Sequence, residues 1–175
     1  MVSMPLRTLL CAIALAAACS AQPMQPDLGK QRAAMKKLAF LVGSWSGEAT
    51  VHARGMPLKL TQTEEVAWKL DGLVLLIEGT GRHPDTGAVM FTALATVSYD
   101  NVAGEYRLRS HREGRYLDVP LQVLENGFEW SYNAGPAVVS FVMRLNAKGE
   151  WLETGEVKPG INATRPTFEM TVRKK

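Results

Sequence analysis

Leu58-Lys-Leu-Thr-Gln-Thr-Glu-Glu-Val-Ala-Trp-Lys69 decides the fold. Leu58, Leu60, Gln62, Glu64, Val66 and Trp68 fall on one side of an extended chain. Lys59, Thr61, Thr63, Glu65 and Lys69 fall on the other. This is a half-buried β-strand, and it puts two polar groups, Gln62 and Glu64, on the apolar face. A buried carboxylate needs a partner, or its pKa rises. Glu64 is therefore a charge paired inside the fold or a polar group in a ligand cavity. A local twist or bulge that returns both groups to solvent is the bland alternative.

The same period repeats outward from this segment. Trp45, Gly47, Ala49 and Val51 alternate with polar residues upstream. Val89, Phe91, Ala93, Ala95, Val97 and Tyr99 do so downstream. Leu73–Thr80 reads as a further strand, and more are expected near 104–112, 115–124, 127–133, 137–146, 150–158 and 166–173. Turn residues punctuate them at Asp71-Gly72, 84–87, Asp100-Asn101, Asn126-Gly127 and Lys148-Gly149. Asn126-Gly127 is the strongest hairpin signal, because both positions tolerate positive φ. About ten strands in hairpin order predict an all-β, antiparallel up-and-down barrel, since closure removes the exposed edges. A β-sandwich is the alternative. An outer-membrane barrel is disfavoured, because the outward faces carry Lys59, Lys69, Arg107, Arg109, Glu129 and Arg144.

A short helix precedes the strands, about Lys30–Leu41, with Met35, Leu38, Ala39 and Val42 as its apolar stripe. Residues 30–175 form a single barrel domain on this reading, and 19–29, with Pro23 and Pro26, form a spacer. Residues 1–18 read as a signal peptide: Arg7 is followed by an apolar run from Leu9 to Ala18, too short to span a bilayer. Leu15-Ala-Ala-Ala-Cys19 resembles a relaxed lipobox, which makes Cys19 the candidate lipid anchor. Ordinary cleavage after Ala18 or Ala21 is the alternative. The expectation is an exported protein, in the periplasm of a bacterium or anchored to its outer membrane as a lipoprotein. The membrane is met only through that anchor.

The remaining composition excludes more than it assigns. The chain has 175 residues, 46% hydrophobic and 21% charged, with a net charge of +3. That charge is too small to argue for nucleic acid. Both cysteines, Cys11 and Cys19, lie in the N-terminal segment, so the domain has no disulfide, thiolate metal site or cysteine nucleophile. His52, His83 and His111 lack metal-ligand spacing, and no metal is expected. Gly43-Ser-Trp-Ser-Gly47 is no nucleophile elbow: Trp45 holds the centre, and the segment opens a strand. The reading favours a binding protein over an enzyme. A catalytic pair would have to be Glu64 with Arg112 or His111.

Candidate ligand contacts are Gln62, Glu64, Tyr99 and Arg112 as polar groups and Trp68, Phe91 and Trp130 as walls. Arg112 is a candidate partner for Glu64 or for an acidic head group. It reads equally as part of a solvated hairpin tip. The expected partner is a small apolar or amphipathic molecule. An envelope structural protein with a filled barrel is the alternative function.

Three stretches carry a family resemblance: Phe40-Leu-Val-Gly-Ser-Trp-Ser-Gly-Glu48, Leu70-Asp-Gly-Leu-Val-Leu-Leu-Ile-Glu78 and Val97-Ser-Tyr-Asp100. Gly43-Ser-Trp45 is similar to the Gly-x-Trp opening of lipocalins. Together the stretches resemble the bacterial calycin-like family catalogued as domain of unknown function 1579, over residues 33–173. The resemblance implies a lipocalin-like barrel and no established activity. It also implies that Gly43 and Trp45 close one end, with Arg173 of the last strand over the Trp. The opening is similar, too, to haem-binding nitrobindin barrels. Those ligate iron through a histidine near the C-terminus, which this chain lacks after His111, so no cofactor is expected.

Overall fold

In a computed structural model of the protein, residues 27–53 and 56–175 are described. Residues 1–18, Cys19 and most of the spacer lie outside them. Helix α1 spans Gly29–Lys36. The Asp27 carboxylate accepts the Gly29 backbone N–H at 2.8 Å and starts it. The chain then tightens into one 3₁₀ turn, Ala39–Leu41, where the sequence predicts continuous helix. The tighter turn steps by three residues. Met35, Leu38 and Leu41 therefore become the fully buried stripe, and Ala39 is exposed.

The described residues contain ten strands: β1 Gly43–Ala53, β2 Met56–Lys69, β3 Val74–Arg82, β4 Val89–Asp100, β5 Glu105–Arg112, β6 Arg115–Leu124, β7 Gly127–Ala134, β8 Ala137–Leu145, β9 Trp151–Pro159 and β10 Arg165–Lys174. Each pairs antiparallel with the next, and β10 returns to β1, Trp45 opposite Lys174 and Val51 opposite Phe168. That last ladder makes a closed up-and-down barrel and excludes the sandwich. None of the described helices is long and apolar enough to cross a membrane.

The register puts the apolar set of each strand inside. Leu60, Gln62, Glu64 and Val66 are buried, whereas Thr61 and Glu65 are exposed. The outward Arg107 and Arg109 converge on Asp118 at 2.7 and 3.1 Å. Several strand glycines are required for space rather than for φ, Gly127 among them. At Gly127 a Cβ would run into the Met143 carbonyl of β8. Gly127 is thus a strand residue without positive φ. The β6–β7 turn lies one position earlier than the sequence signal, at Glu125-Asn126. Positive φ occurs instead at Glu113 (49°) and Gly114 (71°), the two-residue link between β5 and β6.

Helix α1 covers one end of the barrel. The Tyr106 hydroxyl donates to the Ala34 carbonyl at 2.8 Å, and the Gln31 amide to the Leu73 carbonyl at 3.2 Å. Trp45 seals that end from below. Its indole N–H donates to the Leu41 carbonyl at 2.7 Å, and its ring meets Trp151 edge to face at 5.6 Å. The cation over Trp45 is Lys174, 5.1 Å from the ring, not Arg173. Lys174 is the register partner of Trp45, whereas Arg173 stands opposite Ser46 on the outward face and holds Glu150 at 2.5 Å. The position expected for Arg173 is off by one residue, and one residue reverses the face.

Candidate functional site

The other half of the barrel is not filled. A cavity of about 430 Å³ occupies it. Its wall is largely aromatic, from Phe91 on β4, Trp130 and Tyr132 on β7, Phe141 on β8 and Phe168 on β10. Trp130 and Phe141 stack at 4.4 Å and 10°. Strands β3 and β4 meet this bulk with small lining residues, Gly79, Ala93 and Ala95, and on β9 the cross-strand neighbour of Phe141 is Gly155. Gly155 makes room for Phe141, whose ring edge would lie 2.5 Å from a Cβ there. The lining reaches His52, Arg112, Val157 and Thr167, near strand ends opposite the helix. That end is the mouth.

Two carboxyl groups line the inner part of this apolar space, Glu64 on β2 and Glu153 on β9. Both lie on one side of the wall, with β1 and β10 between their strands. Glu64 is 7% exposed. Its Oε1 accepts the Gln62 amide N–H at 2.7 Å, and Gly79 clears space for the carboxyl: a Cβ there would lie 2.8 Å from Oε1. Glu153 is half-buried and lines the cavity, and its Oε2 accepts the Trp151 indole N–H at 3.1 Å. Among the described residues neither carboxyl has a cation within ion-pair distance. Burial pushes Glu64 up to about 8, against the Gln62 hydrogen bond that lowers it; repulsion from Glu153 adds to the rise. Burial likewise pushes Glu153 up to about 7, opposed by the Trp151 hydrogen bond.

The predicted contact residues divide by position. Glu64, Phe91, Arg112 and Trp130 line the cavity. Gln62 is fully buried behind Glu64 and orients it. Trp68 and Tyr99 are at the helix end, outside the cavity. Trp68 stands opposite Leu75, and Tyr99 packs edge to face on Tyr106 at 4.9 Å. Arg112 does not meet Glu64. Its guanidinium lies over the Phe91 ring at 4.3 Å, 3.5 Å from Glu113, at the mouth.

Sequence reasoning missed Glu153, Tyr132, Phe141 and Phe168. The signal for Glu153 was present. It shares parity with Trp151, Gly155 and Val157, as Glu64 does with Val66 and Trp68. Two polar atoms among the cavity-lining residues lack a hydrogen bond, His52 Nε2, with Glu169 3.6 Å away, and Thr167 Oγ1. No group of three or more His, Cys, Asp or Glu able to hold a metal occurs among the described residues.

No family model and no curated protein matches the chain. Among solved structures, the crystal structure of Rv2717c from M. tuberculosis is similar, with 12% identity and a TM-score of 0.61. The match covers 81% of this chain and 97% of that one. At that identity the likeness is one of fold: this chain and Rv2717c share a β-barrel architecture.

Proposed function

We propose that this protein is an exported barrel that carries a small, largely apolar molecule in its interior. The carrying observation is the cavity of about 430 Å³, aromatic in its wall and open at the end away from the helix. Burial of a ligand's apolar surface there supplies affinity, and a few polar groups fix its orientation. The signal-like segment 1–18 and the lipobox-like Cys19 support export and anchoring. The resemblance to domain of unknown function 1579 belongs to the same reading, because it implies a barrel of this kind.

Native mass spectrometry tests it. The full chain is produced in an exporting bacterial host and purified as that host processes it. Mass that is present in the native spectrum and lost on denaturation is the expected result. The denatured mass also reports cleavage before Cys19 and acylation of that residue. No adduct, together with no stabilisation by a panel of lipids, overturns the reading in favour of a barrel without cargo.

A further inference from the structure

The cavity holds two acids and no base at its inner end. Glu64 is nine-tenths buried, lines the cavity, and takes its one hydrogen bond from Gln62 through Oε1. Its Oε2 has no hydrogen bond among the described residues. Glu153 faces the same space and takes its one bond from Trp151. Arg112 does not compensate them, because it is held at the mouth over Phe91 and beside Glu113. Buried charges are normally paired, and a lone buried acid is costly. Gln62, Trp151 and Gly79 nevertheless orient and make room for these groups, so they are built into the wall.

We propose that the cavity takes an amphiphile with an amine head, the ammonium seated against Glu64 and Glu153 and the hydrocarbon along Trp130, Phe141 and Phe168. The inference rests on the ligand-binding reading above and names the ligand's chemical class. An ammonium supplies the cation that both carboxyls lack and donates to Glu64 Oε2. Aromatic faces near it add attraction for a cation. A carboxylate head in the same place meets two acids and no cation. An alcohol hydrogen-bonds but compensates no charge.

The proton balance follows. In the free barrel burial keeps a proton on Glu64 near neutral pH, while Glu153, at about 7, is divided between its acid and its anion. When R–NH₃⁺ binds, one carboxyl ionises to form the ion pair, and its proton leaves to solvent. The other stays a neutral donor or shares the ammonium.

Octylamine, octanol and octanoate, equal in chain length, are titrated calorimetrically at pH 7 into the full processed protein freed of cargo. Octylamine is expected to bind about tenfold or more tighter than octanol, with octanoate weakest. The double variant Glu64→Gln/Glu153→Gln is expected to lose the preference for the amine. Repeating the octylamine titration in buffers of different ionisation enthalpy counts protons, and net release, at most about one per amine, is expected. That count needs no variant, so the test stands even where the variant fails to fold. Octanol matching octylamine, octanoate binding best, or amine binding without proton release overturns the amine assignment and leaves a ligand-binding barrel. No binding of any of the three, with an empty native spectrum, overturns the ligand-binding reading itself.

Discussion

Glu64 and Glu153 make the clearest residue-scale prediction, because both hold protons that the unfolded chain gives up. Burial raises Glu64 to about 8 and Glu153 to about 7, from the ordinary glutamate value of 4.5. Their contribution is full below pH 4.5 and is lost as pH rises through 7 and 8. The melting temperature of the unliganded protein should therefore fall from pH 5 to pH 8. The loss is on the order of a few kcal/mol, and Glu64→Gln/Glu153→Gln should flatten it. Calorimetry across that range decides the matter. A second residue carries the closed end. Trp45→Phe strands the Leu41 carbonyl in a buried site and shrinks the contact with Trp151. Urea unfolding should show a loss of about 2–4 kcal/mol.

At the scale of the element, the hairpins and the helix differ in how local their causes are. Glu113 sits at positive φ in a two-residue link where Asn is the favoured residue. Glu113→Asn should raise stability by about 0.5–1 kcal/mol in chemical denaturation. Gly127 is the opposite case, since its need is set by β8 and not by its own turn. Gly127→Ala drives a Cβ into the Met143 carbonyl and should cost about 3 kcal/mol or more. Its turn neighbours Glu125 and Asn126 are exposed and should tolerate alanine within about 0.5 kcal/mol. Helix α1 is too short to persist alone. Met35, Leu38 and Leu41, all fully buried, hold the helix and the turn that follows it to the barrel. Met35→Ala should cost about 2–5 kcal/mol and loosen the closed end, read as faster amide exchange at Trp45.

For the whole molecule, closure and the cavity are linked. The β1–β10 ladder removes both sheet edges, so every strand can afford one polar and one apolar face. Ten strands make a barrel too wide for side chains to fill throughout. The helix and the Trp45–Trp151 pair fill one end, and the other end stays open. Bulk added to the small side of the cavity should exclude cargo while leaving the fold. Ala93→Phe is the test, because Ala93 faces the cavity from β4. Loss of the native-spectrum adduct with little change in melting temperature is the expected outcome.

Alternation and turn residues together determined the strands, their faces and their hairpin order, because side-chain period and turn chemistry are local to a strand and its ends. Alternation placed Gln62 and Glu64 inside for the same reason. Only the tertiary structure decided which inward residues share a cavity. Trp68 and Tyr99 have the parity of Glu64 and Phe91 but stand at the end that the helix covers, and position along the barrel axis is invisible to parity. Lys174 in place of Arg173 over Trp45 depends on the register between the first and last strands, over a hundred residues apart in the chain. The meeting of Glu64 with Glu153 has the same origin: each is legible as an inward acid, and closure of the barrel brings them to one side of one cavity.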